Sequence, residues 1–301
     1  MERIAAVVVT YNRCEMLREC VSGLLAQRNA ACDIIVVDNA STDNTAEIVK
    51  AMTDPRVHYA RMEKNIGGAG GFNFGMRMAV EKGYDWVWVM DDDTCPEPDA
   101  LRALMDAGNM LHKDIGFLVS CAMWTDGTGC IMNKPVIHSE YQTDMQLIEK
   151  GLVRVEQATF VSMLLPAATI RRAGLPIADF FIWGDDVEYS RRIAVRMNMP
   201  AYLVGASKVT HKMKENTGSN LYMDAPERIS RYKLAFRNEC YLYSREGWRG
   251  KKYYVIRIIA NLKNVLIKSR SHRLRRLGAI VGGVCAGIMF RPKVEYVDEN
   301  A

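Results

Sequence analysis

Trp86-Val87-Trp88-Val89-Met90-Asp91-Asp92-Asp93 is an apolar run that ends in three adjacent carboxylates. Valine and tryptophan in a short continuous apolar run spell a buried strand. Three neighbouring carboxylates repel one another unless a cation or solvent relieves them, and beside a cleft that repulsion is costly. A divalent cation is one remedy, because hard cations take oxygen ligands and leave positions for substrate phosphates. A solvated acidic turn that caps the next helix is the other reading of the same residues.

Working outward, the preceding chain alternates strands and helices. Ile4–Val9 reads as a first strand, broken by Thr10-Tyr11-Asn12-Arg13. Apolar residues at helical spacing follow over Glu15–Gln27, then Ile34–Val37 as a strand ending at Asp38-Asn39. Ser41-Thr42-Asp43-Asn44 offers caps for a helix through Lys50, Val57–Met62 is a third strand, and Asn73–Lys82 is a helix closed by Gly83. This alternation predicts an α/β fold, a parallel sheet with helices on both faces. Ligands bind such sheets beyond the carboxyl ends of the strands. The polar clusters Thr10–Arg13, Asp38–Asn39 and Asp91–Asp93 all fall there, as a nucleotide-type site requires. Beyond Pro98 the pattern loosens: a helix near Asp99–Leu111, strands near Phe117–Cys121, Ala158–Leu165 and Ala201–Val204, an irregular Trp124–Lys150, and a helix over Asp186–Met197. From Pro226 the chain reads as mostly helical.

Three further segments carry candidate chemistry. Asn65 to Gly75 holds five glycines in eleven residues, which allows close backbone approach and phosphate-facing amides, or simply a tight turn packed on the sheet. No Lys-Ser/Thr pair follows, so it is not a P-loop. Phe180-Phe181-Ile182-Trp183-Gly184-Asp185-Asp186 delivers two carboxylates to a helix start. They can cap that helix or supply a general base partly desolvated by aromatics. His211 opens a polar, basic loop and is either structural or a ligand.

In this order the segments resemble the inverting family 2 glycosyltransferases with the GT-A fold, over about residues 4–215. The resemblance implies a Rossmann-like nucleotide-sugar-binding sheet. It implies that Thr10, Tyr11 and Arg13 line the nucleobase pocket, that Asp38 bonds the base, and that Asn65, Gly67 and Gly68 face the ribose or diphosphate, with Asp92 among the donor-contacting residues. It implies Mn²⁺ or Mg²⁺ on Asp91, Asp93 and His211, Asp186 as catalytic base, and Asp185 beside it placing the acceptor. The Asn65–Phe72 segment with Asp85–Trp88 and the acidic triplet looks most like the galactofuranosyltransferase branch, which uses UDP-galactofuranose. Gly184 between Trp183 and the paired acids follows the rhamnosyltransferase pattern, which uses dTDP-rhamnose. A sugar-1-phosphate nucleotidyltransferase would place a glycine-rich loop after the first strand, and Thr10–Cys14 has no glycine. A non-catalytic carbohydrate-binding protein on the same fold is the alternative of another class.

The domain reading is a catalytic unit over residues 1–225, with a nucleotide-sugar half to about 115 and an acceptor half from 116, then a basic helical region over 226–301. The net charge of +5 is unevenly spread. Between Gly247 and Val294 there are twelve basic residues and no acid, which leaves residues 1–246 at a net −4. A basic amphipathic helix over Lys251–Lys268 can lie on an anionic membrane surface, suiting a lipid-linked glycan acceptor, or pack its apolar face on the protein. No nucleic-acid-binding motif accompanies the charge, so nucleic acid is not an expected partner. The eight scattered cysteines include no Cys-x-x-Cys pair and suggest reduced thiols. No signal peptide or transmembrane run is read, since the longest apolar stretch, Gly278–Phe290, falls short of the ~20 residues a bilayer needs. The expected location is cytoplasmic, peripheral on the inner face of the membrane.

Overall fold

A computed structural model describes residues 2–112 and 114–297; of the three acids that follow the basic stretch, Asp298 and Glu299 lie outside the described residues. The first half follows the alternation: β1 (Ile4–Thr10), α1 (Cys14–Leu25), β2 (Asp33–Asp38), α2 (Thr45–Ala51), β3 (Val57–Arg61), α3 (Gly67–Glu81) and β4 (Trp86–Asp91). There follow β5 (Thr94–Pro96), α4 (Ala100–Met110), β6 (Phe117–Met123), β7 (Val136–Ile137), α5 (Met145–Glu149), β8 (Leu152–Gln157), β9 (Met163–Pro166), α6 (Ala167–Ala173), α7 (Asp185–Arg191) and β10 (Ala201–His211). Three helices close the chain: α8 (Ile229–Ser244), α9 (Gly247–Lys268) and α10 (Arg273–Met289).

The strands form one sheet in the order β3-β2-β1-β4-β9-β6-β10-β8-β7, with β5 on β10. The fold is the expected α/β sheet, but only β3, β2, β1 and β4 form a continuous parallel block. β9 runs antiparallel to both β4 and β6, so the sheet is mixed. Two apolar cores flank it. One is built on Val7, Val37, Val89 and α3; the other on Val8, Val36, Trp88, α1 and α4. Odd and even residues of β1 therefore face opposite cores, which is why its side chains are buried throughout.

Four local expectations change. The strand expected over Ala158–Leu165 is shorter: it begins at Met163 as β9, and a separate strand, β8, ends at Gln157. The strand near Ala201–Val204 continues, past an irregularity between Val204 and Lys208, to His211. The helix expected over Asp186–Met197 is α7 followed by π-helical Arg192–Arg196. Around it, buried Glu188 is gripped by Arg192, at 3.1 and 2.5 Å, and by Arg196. The glycine-rich segment is helical from Gly67, six residues earlier than expected. Each glycine costs about 1 kcal/mol against alanine in a helix, so tertiary packing must compensate. A Cβ on Gly71 would meet Val9 Cγ1 at 2.6 Å, and one on Gly75 would meet Val7 Cγ1 at 2.4 Å and Val37 Cγ2 at 3.0 Å. The glycines let α3 lie directly on β1 and β2.

Gly75→Val should therefore destabilise the protein by about 3 kcal/mol, the upper range for overpacking a close-packed core, despite valine's better helix propensity. Urea unfolding at an unchanged midpoint would show that α3 does not depend on this contact.

Candidate active site

β1, β4 and β10 converge on one acidic centre. Asp91 ends β4, and Asp92 and Asp93 form the turn into β5. β5 pairs with the end of β10 so that His211 lies opposite Thr94. This register sets the imidazole Nε2 3.0 Å from Asp93 Oδ1, across 118 residues of chain. One ligand atom from each of Asp91, Asp93 and His211 falls within 4.8 Å of the others. Asp92 turns away from this cluster. It accepts from Thr10 Oγ1 at 2.8 Å and from Arg13 Nη1 at 3.2 Å, and the same Arg13 nitrogen reaches Asp93 Oδ2 at 2.7 Å.

The donor set suits a divalent cation. His211 Nδ1 lies 2.7 Å from Asn133 Oδ1, a separation that assigns the ring proton to Nδ1. Nε2 then aims a lone pair at a carboxylate oxygen, an arrangement that needs a proton or a cation between the two atoms. Two carboxylates and one outward-held imidazole nitrogen form an oxygen-rich site of the kind Mn²⁺ or Mg²⁺ accepts. Asn133 is in turn held by donating to Thr159 Oγ1 at 3.1 Å. Asn133 lay in the irregular Trp124–Lys150 stretch, and no spacing signal marked it.

The carboxylates titrate differently because their surroundings differ. Burial, with repulsion from Asp93, pushes Asp91 up to about 6. Burial pushes Asp92 up to about 7 against the pull of Arg13. Burial also raises Asp93, but the hydrogen bond and charge of His211, with Arg13, outweigh it and hold it below the usual range. Burial lowers His211, and Asp93 more than restores it, so the imidazole sits above its ordinary value.

Asp185 and Asp186 open α7. Burial pushes Asp185 well up, with Asp186 and Asp91 adding repulsion, and burial pushes Asp186 up to about 6. Asp186 Oδ1 accepts from the Val187 amide at 2.7 Å. Asp91 and this pair lie close enough for each to raise the other by repulsion.

The remaining residues expected at the site divide. Tyr11 is exposed and Thr10 buried. Asp38 is fully buried, and both its oxygens are occupied: Oδ1 accepts from the Ser41 amide at 2.8 Å and Oδ2 from Tyr59 Oη at 2.6 Å. In this arrangement it fixes the loop after β2, and a bond to a base would require one of those partners to yield. Asn65 Oδ1 accepts from the Gly67 amide at 2.8 Å and Asn39 Nδ2 donates to the Gly67 carbonyl at 2.9 Å, pinning the start of α3. Open space faces Gly68, where no atom lies within 4 Å of a Cβ.

Residues 5–115 match the family described as "Glycosyl transferase family 2". Over 259 residues the chain is 27% identical to "Galactofuranosyltransferase GlfT1" of Mycolicibacterium smegmatis, covering 82% of this chain and 85% of that protein. The protein of the same name from Mycobacterium tuberculosis strain H37Rv is 27% identical over 264 residues, 82% of this chain and 84% of its own length. The "Undecaprenyl-phosphate mannosyltransferase" of Micrococcus luteus is 34% identical, but over 38% of this chain and 47% of that protein. Among solved structures, GalNAc-T7 with UDP, GalNAc and Mn²⁺ superposes with a TM-score of 0.60 at 15% identity, covering 79% of this chain and 47% of that one. At that identity the likeness speaks to the fold alone.

Removing the partner that orients His211 should weaken cation binding. Asn133→Ala is expected to lower Mn²⁺ affinity by about 10–100-fold, read by calorimetry. Because bound metal must displace the proton on His211, wild-type affinity should fall as pH drops through the raised imidazole value. Affinity that is flat between pH 8 and 6 would remove His211 from the ligand set.

Proposed function

We propose, for a chain that belongs to the family 2 glycosyltransferases and carries their GT-A fold, the transfer of galactofuranose from UDP-galactofuranose to a hydroxyl of a lipid-linked cell-surface glycan, with inversion at the anomeric carbon. The observation that carries this reading is the likeness to two galactofuranosyltransferases over four-fifths of the chain.

A divalent cation held by Asp91, Asp93 and His211 would offset the charge that grows on the departing diphosphate. Thr10, Tyr11 and Arg13 lie at the strand end where the nucleoside would sit, with Asp92 tying Thr10 and Arg13 together. Asn65, Gly67 and Gly68 bring the start of α3 toward the donor, where the helix dipole favours anions. Asp186, pushed up to about 6, is ionised near pH 7 yet basic enough to take the acceptor proton as that oxygen attacks. Asp185, whose carboxyl burial pushes well above its ordinary value, lies beside it at the start of α7 and helps place the acceptor. Direct attack from the face opposite the diphosphate inverts the centre and needs no covalent intermediate.

The C-terminal helices support a place at an anionic membrane surface. No helix of the described residues is long and apolar enough to cross a membrane. α9 nevertheless has two apolar sides. Tyr254 and Val265 turn inward, while Val255, Ile256, Ile259, Leu266 and Ile267 are exposed. Leu274, Val281, Ile288 and Met289 extend an exposed stripe along α10. Exposed Lys251, Lys252, Lys263, Lys268, Arg270, Arg273 and Arg275 accompany these residues. Apolar side chains among cations match the boundary of an anionic bilayer, where each basic residue adds about 1 kcal/mol.

Two measurements test the reading. Calorimetry with UDP and dTDP, each with and without Mn²⁺, should give tight, metal-dependent binding of UDP. A preference for dTDP would favour rhamnosyl transfer, the pattern that Gly184 ahead of the paired acids resembles, and binding of neither would end the nucleotide-sugar reading. Replacing exposed Ile256, Ile259 and Ile267 together by serine should cut sedimentation with vesicles of anionic phospholipid at least fivefold while leaving UDP affinity unchanged. Undiminished sedimentation would remove α9 from the membrane contact.

A further inference from the structure

Between the last turn before Asp185 and helix α8 lies a contact that the glycosyltransferase reading does not use. The segment 180–184 takes an unfavourable path. Phe181 and Trp183 sit at φ 63° and 66°, and Gly184 at 85°. Two bulky residues in the left-handed region within three positions are strained, and such strain persists only where the surroundings fix it.

What fixes it is one buried side chain. Asn238 is fully shielded from solvent. Its amide nitrogen donates to the carbonyls of Phe180 at 3.0 Å, Ile182 at 3.2 Å and Trp183 at 2.8 Å. Its oxygen accepts from Arg237 Nε at 3.0 Å, and Arg237 Nη2 reaches the carbonyls of Asp179 at 2.7 Å and Phe180 at 3.2 Å. Together the two side chains hold the backbone carbonyls of Asp179, Phe180, Ile182 and Trp183. Two further contacts complete the frame. The Trp183 ring lies 4.9 Å from that of Tyr232, and the Phe181 carbonyl accepts from the Ala69 amide at 3.2 Å at the start of α3.

We infer that Asn238 is a positioning residue for glycosyl transfer, whose amide holds the 180–184 backbone in the strained path that aims Asp185 and Asp186 at the cleft. The inference rests on the reading of Asp186 as the base. The acids follow the clamped carbonyls by two and three residues, with Gly184 as the single link. Loss of the amide donors lets Phe181 and Trp183 relax toward ordinary backbone angles and swings the start of α7. The donor contacts proposed on β1, β4 and β10 lie off the clamped carbonyls, and α3 meets the loop at the Phe181 carbonyl, which Asn238 does not hold. Misplacing a reacting group by about 1 Å can cost about a hundredfold in rate, so the expected signature is a loss of turnover without a loss of donor binding.

The test is Asn238→Asp, which keeps the shape and removes both donors, with Asn238→Ala as a second variant should the first not fold. Asp186→Asn is measured in parallel. The readouts are kcat and donor KM for transfer, UDP–Mn²⁺ affinity by calorimetry, and thermal unfolding. Folded variants with kcat down at least thirtyfold and UDP affinity within threefold of wild type support the inference. A kcat within threefold of wild type, beside an inactive Asp186→Asn, overturns the role of Asn238 and leaves the base in place. Parallel loss of kcat and UDP affinity overturns it too, since that marks a general collapse of the cleft. An active Asp186→Asn overturns the reading of the base itself, and the aiming role with it.

Discussion

Asp91, Asp92 and Asp93 concentrate three carboxylates at the end of a buried strand, and the neighbouring elements answer that charge one residue at a time. Asp92 receives a hydroxyl from β1 and a share of Arg13, while burial pushes it up to about 7. Asp93 receives Arg13 and the imidazole that β10 delivers. Asp91 has no side-chain hydrogen bond among the described residues; the charges of His211 and Arg13 act on it from a distance, and burial with repulsion from Asp93 outweighs them. The asymmetry among three identical side chains leaves Asp91 and Asp93, with His211, as the group whose donor atoms could hold a cation.

Much of this was legible in the sequence. The β1–β4 half was readable because its apolar runs are continuous and its polar breaks fall at strand ends, so periodicity and position agreed. Asp91, Asp93 and His211 were singled out as ligands, and the fold brings their donor atoms together. What stayed hidden has two physical sources. Glycines 67 to 71 look like loop residues by propensity, and the close approach of Gly71 to Val9 is a tertiary contact that propensity does not register. Asn133, Tyr59 and Asn238 act through hydrogen bonds to residues 78, 21 and 55 to 58 positions away, and a polar residue in a polar segment carries no mark of so distant a partner. The antiparallel entry of β9 next to β4 was likewise invisible, because a short buried strand reads the same in either direction.

The C-terminal helices were read as either facing a membrane or packing on the protein. One side packs on the protein, and the other leaves apolar side chains exposed among cations. Leu221, Ile229, Tyr232, Phe236, Val265 and Ile280 form a core that also takes in Trp183 from the loop before Asp185. Arg276, buried, donates to the carbonyls of Leu221 and Asp224 and to Ser271. Arg191 on α7 pairs with Glu246 through two bonds of 2.5 and 2.8 Å. The helical region is thus part of the frame around the cleft on one side and an apolar, basic surface on the other.

The order of strands has a consequence for how the molecule is made. β10 is the last strand in the chain, yet it lies between β6 and β8 and carries His211 at its tip. A growing polypeptide therefore holds β6 and β8 with no strand to join them until residue 211 has been added, an interval on the order of seconds at ordinary rates of synthesis. Open strand edges attract other chains, and throughout that interval the acids of β4 lack their imidazole. Completion of the sheet and completion of the acidic centre are a single late event in the life of each new molecule.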